Sequence, residues 1–316
     1  MSKIRVLFLG TPDFAAASLE RLIQDDDHYE IAAVITQPDR PAGRKMQLKP
    51  SPVKELALKH GLEVLTPESV NTEEFLAKIK SYGAESAAVV AFGQILSQKF
   101  LDLFPRGCVN VHASLLPRWR GAAPIQRAIM EGDRESGVSL QIVVKKLDAG
   151  PVLGTRTVKI TDDMDARDLH DQLKVLGADL LHIEYMDYLR GNLTPVEQDE
   201  SLATYAAKIT KSEARLDWSL PARTLFNRVR GLAMGPFAFC QLPGGSTLKI
   251  HKTKVLDENE VHGAPGEIVQ VGPESIAVAC GQGLLEVLEV QPESRSRMTV
   301  AEYLRGYPLS VGQKFE

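Results

Sequence analysis

The sequence has little cysteine, little tryptophan and no long hydrophobic run. Its 316 residues include three cysteines and two tryptophans. The cysteines have neither the paired spacing of a metal site nor the even number of a disulfide framework, so we expect reduced, buried thiols in a cytoplasmic protein. No apolar stretch approaches the length of a membrane span, and the first one ends at Gly10, too early for a signal peptide.

An excess of charge of one sign is also absent. The net charge is −4, so the overall electrostatics does not indicate a nucleic-acid partner. Two segments differ from the rest: Arg40–Lys59 has six basic residues and one acidic residue, and Lys208–Arg230 has six basic and two acidic. Either segment is explained by solvated surface charge or by contact with phosphates, and both interpretations remain open.

Two common enzyme motifs are absent as well. The turn Gly10-Thr11-Pro12-Asp13 follows the first apolar run but lacks the three glycines of a dinucleotide-binding motif. Pro12 also removes a backbone donor that a pyrophosphate would use. The turn therefore indicates a tight strand-to-helix connection, and a nicotinamide enzyme is disfavoured. No serine or cysteine lies in a nucleophile motif.

Short apolar runs alternate with helix-length segments over the first part of the chain. This alternation is typical of a parallel sheet built from βαβ units, so we predict an α/β fold. The predicted strands are Ile4–Gly10, Ile31–Thr36, Glu63–Thr66, Ala87–Phe92 and Cys108–Val111, and the predicted helices are Phe14–Ile23, Val53–His60, Thr72–Lys80 and Pro124–Glu131.

The pattern then changes. Two strand-like runs, Gly137–Lys145 and Val152–Ile160, have only a short connection between them, so we expect them to extend the sheet with antiparallel pairing. A long amphipathic helix is predicted over Ala166–Leu189, with an apolar stripe made of Leu169, Leu173, Leu176 and Leu180.

A second domain is predicted towards the end of the chain. The length exceeds one typical domain, and the sequence turns polar and irregular after Arg190. We therefore expect domains over 1–190 and 208–316, with a linker over 191–207. From Ile209 onward the pattern is mostly β, which indicates a small barrel or sandwich. The predicted strands are Phe237–Leu242, Thr247–Val255, Gly266–Val271, Ser275–Ala279 and Leu284–Val290.

Three polar residues form the most informative pattern. Asn110 and His112 are two residues apart at the end of an apolar run, so in a strand they share one face at the mouth of the sheet. Asp148 comes later, before a Gly-Pro break. An amide to bind an oxyanion, an imidazole to carry protons and a carboxylate to orient it are suited to acyl transfer. His112 and Cys108 also have interpretations without a catalytic role. His112 is then a core histidine bonded to the backbone, and Cys108 is a packed thiol.

The motifs around these residues resemble those of the formyltetrahydrofolate-dependent formyltransferases. The resemblance includes Asn110-x-His112, the run Ser-Leu-Leu-Pro-Arg-Trp-Arg-Gly-Ala-Ala-Pro over 114–124, and Asp148. Gly10–Phe14, Gln37–Arg44, Ser51–Lys54, Trp218 and Pro221-Ala222 extend it over the whole chain. It implies a Rossmann-like formyltransferase domain with a mostly parallel sheet, followed by a small C-terminal β-barrel of the oligonucleotide-binding (OB-like) type.

The resemblance also implies a reaction and a set of site residues. We expect transfer of formyl from 10-formyltetrahydrofolate to the α-amine of methionyl initiator tRNA by a monomer without a metal. Asn110, His112 and Asp148 are the implied catalytic residues. The implied folate-binding residues are Ser114, Leu115, Leu116, Pro117, Phe92, Gly93 and Ile95, and the implied tRNA-binding residues are Arg40, Arg44, Lys45, Lys208 and Lys211.

Two segments depart from the family pattern, and three other functions remain open. The basic loop over 40–49 has fewer basic residues than in many relatives, and Met234–Phe237 replaces a common Trp-Pro-Gly sequence. The other functions are formylation of a small amine such as glycinamide ribonucleotide, hydrolysis of formyltetrahydrofolate, and tRNA binding without catalysis. The second domain and the basic loop disfavour a small-amine acceptor, since such a substrate needs neither.

Overall fold

The computed structural model describes residues 3–42 and 47–316. They divide into two compact units, one made of Met1–Pro124, Ser136–Val158 and His170–Ala206, the other of Ile125–Glu135, Lys159–Leu169 and Ala207–Glu316. The predicted linker, 191–207, contains a 3-10 turn at Glu200–Leu202 and a short strand, and residues 191–206 are counted in the first unit. The domain boundaries drawn from the sequence stay predictions.

The first unit is built on a seven-stranded sheet with the order β10-β9-β7-β6-β1-β2-β5. The neighbouring strands β7, β6, β1, β2 and β5 pair in parallel, and β9 pairs with β7 in the antiparallel direction. This arrangement confirms the predicted α/β class. The strands of this sheet are β1 (Ile4–Gly10), β2 (Tyr29–Ile35), β5 (Val64–Leu65), β6 (Ser86–Val90), β7 (Cys108–His112), β9 (Glu135–Ile142) and β10 (Val152–Lys159).

Local sequence explains where several helices begin. Ser51 caps α2 by accepting a hydrogen bond from the Lys54 backbone, and Thr72 caps α3 in the same way through Phe75. A Cβ at Gly10 would lie 2.6 Å from the Cβ of Ala15, so glycine lets α1 approach the end of β1. The helices are α1 (Asp13–Gln24), α2 (Pro52–Lys59), α3 (Glu73–Ser81), α4 (Gln98–Leu101), α5 (Pro124–Met130) and α6 (Ala166–Leu189).

Two short pairs of strands accompany this sheet. A hairpin of β3 (Arg40–Ala42) and β4 (Gln47–Lys49) was not predicted, and β8 (Arg120–Gly121) pairs in parallel with β11 (Tyr205–Ala206). The hairpin flanks residues 43–46, which lie outside the described part of the chain. No helix in the described ranges is long and apolar enough to cross a membrane.

The second unit contains an antiparallel sheet with the order β12-β13-β16-β15-β14, and β17 pairs with β16. Its core is apolar and includes Trp218, Leu248, Val287 and Phe315. The antiparallel domain is confirmed, while its closure into an OB-like barrel stays a prediction. The strands are β12 (Phe239–Gln241), β13 (Thr247–Asp257), β14 (Ile268–Val271), β15 (Ile276–Ala279), β16 (Leu284–Pro292) and β17 (Met298–Thr299).

Two helices in this unit interrupt the expected β pattern. Pro221 opens α7 (Ala222–Gly231), in which Ala222, Leu225 and Val229 are buried at helical spacing. Thr299 and Glu302 form a capping box at the start of α8 (Val300–Gly306). The prediction of a mostly β domain was therefore incomplete, because these helical signals are short and lie between stronger strand signals.

Candidate active site

β7 presents Asn110 and His112 on one face of the sheet. It lies between β6, which pairs with it in parallel, and β9, which pairs antiparallel. Residues two apart in a strand point the same way, so both side chains lie on the face that the sequence indicated. Asn110 is half-buried, and only 6 % of the His112 surface is exposed.

The His112 imidazole lies between two acceptors. Its Nε2 is 2.9 Å from the backbone oxygen of Trp119, and its Nδ1 is 3.7 Å from Oδ2 of Asp148. A carbonyl oxygen only accepts hydrogen bonds, so Nε2 carries the hydrogen in this contact. The separation at Nδ1 is that of an ion pair and is longer than a hydrogen bond.

The Asp148 carboxylate is held by two donors of its own unit. Nε2 of Gln141 donates to Oδ1 at 3.0 Å, and the Gly121 backbone N–H donates to Oδ2 at 2.8 Å. The arrangement therefore points a negative charge at His112 and fixes its direction.

The Asn110 amide differs from its neighbours. Among residues 3–42 and 47–316 it has no hydrogen-bond partner, although the cross-strand residues around it are well bonded. Its register partners are Gln141 in β9 and Val89 in β6. An amide that is half-buried and unpaired in this way has both hydrogens available to an acceptor oxygen.

The loop after β7 is tied to β9 by a chain of hydrogen bonds. The Ser139 hydroxyl donates to the Ser114 carbonyl at 2.7 Å, and the Leu116 N–H donates back to that hydroxyl at 3.0 Å. The Ser114 hydroxyl donates to the carbonyl of Arg118 at 2.6 Å. Residues 114–117 are therefore held in one conformation beside His112.

A second loop follows the neighbouring strand β6. Val89 is paired with Asn110, so the loops after β6 and β7 leave the sheet at adjacent carboxyl ends. The Phe92 side chain is buried, and its carbonyl accepts hydrogen bonds from Thr11 and Gln37. Ile95, by contrast, is 86 % exposed, which is unusual for an isoleucine beside a sheet.

Several residues around the site were not singled out from the sequence. The structure adds Trp119, Gln141, Arg120, Gln198 and Thr204. A signal for Gln141 exists, because Ser139 and Gln141 are polar at alternate positions of an otherwise apolar strand. The segment that contains Gln198 and Thr204 shows no periodic pattern, so it was interpreted as linker.

The Cys108 thiol is packed in the core. It is 1 % exposed within an apolar cluster, and burial raises the pKa of the thiol well above its usual range. A thiol in that state is a poor nucleophile. The structure therefore fits the interpretation of Cys108 as a packed thiol.

The basic residues predicted to contact RNA lie in different elements. Arg40 is exposed in the β3–β4 hairpin, while Arg44 and Lys45 lie outside the described residues. Lys208 and Lys211 are exposed in the second unit. Lys211 lines a cleft of about 410 Å³ together with Lys249 and Phe237, so this unit presents cations beside an aromatic ring.

Among the described residues, two clusters of carboxylate and imidazole groups have atoms close enough to share a cation. One contains Asp13, His170 and Asp171, and the other contains Asp257, Glu260 and His262. Neither includes His112 or Asp148. In the first, the Lys174 ammonium binds both carboxylates at 3.0–3.1 Å and offsets one of their two negative charges.

The chain belongs to the formyl transferase family. Residues 2–183 match the family model of the formyl transferase domain, and residues 208–308 match that of the formyl transferase C-terminal domain. It is 56 % identical over 317 residues to a protein of Bdellovibrio bacteriovorus named methionyl-tRNA formyltransferase, with 99 % of each chain covered. A methionyl-tRNA formyltransferase of Bradyrhizobium diazoefficiens is 44 % identical over 313 residues, again with 99 % of each chain covered.

Solved structures share the fold at low sequence identity. The sugar 3N-formyl transferase WlaRD superimposes with a TM-score of 0.67 at 16 % identity, covering 94 % of this chain and 100 % of that one. HypX from Aquifex aeolicus in complex with tetrahydrofolic acid gives 0.61 at 17 % identity, covering 99 % of this chain and 49 % of that chain. The fold is therefore shared with a sugar formyl transferase and with a protein solved in complex with tetrahydrofolic acid.

Proposed function

We propose that this protein transfers the formyl group of 10-formyltetrahydrofolate to the free α-amine of methionyl initiator tRNA, giving N-formylmethionyl-tRNA. The relatives of that name match it over nearly their whole length. The observation that carries the chemistry is the His112 imidazole, set against the Asp148 carboxylate and beside the unpaired Asn110 amide.

In the proposed reaction, the α-amine nitrogen forms a bond to the formyl carbon, and the bond from that carbon to N10 of the folate breaks. Negative charge develops on the formyl oxygen, where the Asn110 amide donates hydrogen bonds. Because Nε2 of His112 donates to the Trp119 carbonyl, Nδ1 is the nitrogen left to accept the proton of the amine. The Asp148 carboxylate stabilises the resulting imidazolium, and that proton passes to N10.

We place the folate between the loops that follow β6 and β7. A pterin ring is flat, partly apolar and edged with hydrogen-bonding groups, so apolar walls with fixed backbone groups suit it. The exposed Ile95 with Phe92 and Gly93 provides one wall, and the pinned segment Ser114–Pro117 provides the other. The exposed isoleucine, together with a loop that hydrogen bonds hold in place, supports this fit.

We assign tRNA contacts to exposed cations in both units. Arg40 in the hairpin and Lys208 and Lys211 in the second unit are available to phosphates, and Arg44 and Lys45 complete the set by resemblance. We further propose a cytoplasmic monomer with domains over 1–190 and 208–316 joined at 191–207. The three free, buried cysteines are consistent with a reducing compartment.

The deciding experiment is a formylation assay with purified protein, 10-formyltetrahydrofolate and charged initiator methionyl-tRNA. Glycinamide ribonucleotide is added as a competing acceptor, and acid gel electrophoresis separates formylated from free aminoacyl-tRNA. We expect the tRNA to be formylated and the small amine to be left unmodified. Formylation of the small amine alone, or release of formate without an acceptor, would contradict the proposal.

A further inference from the structure

Both groups that face His112 belong to residues in a strained backbone conformation. Trp119 has φ of 62° and Asp148 has φ of 47°, in the left-handed region that side chains other than glycine rarely adopt. Such residues persist where surrounding contacts hold them, and they concentrate at functional sites. The contacts that hold these two therefore decide where the Trp119 carbonyl and the Asp148 carboxylate lie.

The turn that contains Asp148 is held by Gln198. The amide nitrogen of Gln198 donates to the backbone oxygens of Asp148 at 2.9 Å and Gly150 at 2.7 Å. Its amide oxygen accepts from Nη2 of Arg120 at 2.8 Å and from Nε at 3.1 Å. With carbonyls on one side and a guanidinium on the other, the amide has one possible orientation.

The backbone around Trp119 is held by Thr204 and Ala206, which follow Gln198 in the chain. The Trp119 backbone N–H donates to the Thr204 hydroxyl at 2.9 Å, and the next N–H, that of Arg120, donates to the Thr204 carbonyl at 2.9 Å. The Ala122 N–H continues the pattern to the carbonyl of Ala206 at 2.8 Å. Three contacts thus fix the backbone on both sides of Trp119.

Arg120 links the two halves of this arrangement. Its side chain has no exposed surface, and it donates to the Glu200 carboxylate as well as to Gln198. Glu200 also accepts from Nζ of Lys146 at 2.6 Å, two residues before Asp148. The segment Gln198–Ala206, which we call the brace segment, therefore contacts the chain next to each partner of His112.

We propose that Gln198 and Thr204 are positioning residues for the reaction at His112. Gln198 sets the Asp148 carboxylate opposite Nδ1, and Thr204 sets the Trp119 carbonyl opposite Nε2. The inference rests on the proposed function, because it assigns the two residues an effect on the step that His112 carries out.

The first test compares Thr204→Val, which keeps the shape and removes the hydroxyl, with Thr204→Ser, which restores it. Displacing a catalytic group by a fraction of an ångström has large kinetic effects, so we expect kcat to fall by about tenfold in Thr204→Val, with KM nearly unchanged. Thr204→Ser should recover most of the wild-type kcat. Gln198→Met tests the other half of the brace and should lower kcat to a similar degree.

The matched control is Ser201→Ala. The Ser201 hydroxyl donates to the Asp199 carboxylate within the brace segment at 2.7 Å and touches neither strained residue. Its loss should leave kcat at the wild-type value. Equal losses in Ser201→Ala and Thr204→Val, or wild-type kcat in both Thr204→Val and Gln198→Met, would overturn the inference.

A spectroscopic readout separates positioning from folding and from the reaction. The nitrogen chemical shifts of ¹⁵N-labelled histidine report which ring nitrogen carries the hydrogen, and comparison with His112→Gln identifies the signal of His112. Thr204→Val should move this signal away from that of the Nε2–H form, while Ser201→Ala should not. Inactivity of the wild-type protein in the formylation assay would contradict the proposed function, whereas an unchanged signal in Thr204→Val would contradict only the brace.

Discussion

Buried polar side chains and strained backbone are unevenly divided between the two compact units. Among the described residues, the first unit buries nine polar or charged side chains and the second unit buries three: Ser18, Thr36, Ser86, His112, Ser114, Arg120, Ser136, Ser139 and Gln141 against Asn227, Arg230 and Thr253. Burial of a polar group is unfavourable unless the group is paired. The larger number of buried polar side chains in the first unit therefore indicates that they have a function there.

The strained positions follow the same division. Ala91, Trp119 and Asp148 have positive φ in the first unit, against Ser294 in the second, counting non-glycine residues of the described ranges. The three in the first unit lie in the loops after β6 and β7 and in the turn that leads to β10. The second unit instead combines an apolar core with exposed cations. This difference agrees with the proposal of chemistry in the first unit and recognition by charge in the second.

The largest expected effect compares a histidine of the first unit, His112, with a histidine of the second unit, His262. His112→Ala and Asp148→Ala should each lower kcat by roughly 1,000-fold, because proton transfer and its electrostatic support are lost. In the second unit, His262 also contacts an aspartate, with Nε2 2.7 Å from Oδ2 of Asp257. His262→Ala should therefore keep the wild-type kcat in the formylation assay. Similar losses in both units would refute the assignment of chemistry to the first.

Long periodic elements could be predicted closely from the sequence. The helix α6 begins and ends at the predicted residues, and Leu169, Leu173 and Leu180 of its stripe have no exposed surface. Antiparallel pairing of β9 with β7 is also confirmed. These features could be predicted because hydrophobic periodicity over many residues determines them.

The surroundings of His112 could not be predicted in the same way. Gln198 and Arg120 are 78 residues apart, and Trp119 and Thr204 are 85 apart, so no local pattern relates them. The brace segment is polar and has no hydrophobic periodicity, and a linker has the same sequence character. Asp148 can be recognised as a partner of His112 because a Gly-Pro turn follows it and because the family resemblance includes it. No pattern in the sequence singles out the carbonyl of Trp119.

The next largest effect concerns a buried arginine in the first unit and a half-buried arginine in the second. Arg120 in the first unit has no exposed surface and makes four hydrogen bonds to Gln198 and Glu200. Arg120→Met should lower the free energy of unfolding by about 3 kcal/mol, since it removes the hydrogen bonds that a buried guanidinium donates to Gln198 and Glu200. In the second unit, Arg127 pairs with Glu213 at 2.7 Å, and Arg127→Met should cost about 1 kcal/mol.

Urea unfolding combined with peptide-resolved hydrogen exchange distinguishes the units in these variants. Arg120→Met should lower protection in the first unit, and Arg127→Met should lower it in the second. Equal stability losses would show that the buried polar network of the first unit contributes no more to folding than an ordinary ion pair.

A smaller effect is expected in the pH dependence of stability. Hydrogen bonds from Arg120 and then from Lys146 lower the pKa of the Glu200 carboxyl from 4.5 to about 2. Because the pKa is lower in the folded state, this contribution is complete above about pH 4.5 and is lost as the pH falls to about 2. Glu200→Gln should therefore flatten the dependence of Tm on pH in this range.

The second unit provides the counterpart of this titration. The pKa of Glu213 is also lowered from 4.5 to about 2, chiefly by Arg127. Glu213→Gln should flatten the acid side of the Tm profile in the same pH range, with the change confined to the second unit. If Glu200→Gln has the same Tm profile as the wild type, the Arg120–Glu200 pair does not contribute to acid stability.

The smallest expected effect tests recognition by charge. Lys211→Ala removes one exposed cation beside the cleft of the second unit, so the affinity for initiator tRNA should fall severalfold with kcat unchanged. The slope of log affinity against log salt should become shallower by about 0.7 to 0.9, since one phosphate contact is lost. Lys174→Ala in the first unit is the matched control, because the carboxylates of Asp13 and Asp171 already balance its charge. An unchanged slope in Lys211→Ala would remove Lys211 from the RNA interface. An equal change in Lys174→Ala would mean that net charge, and not the placement of cations on the second unit, governs RNA binding.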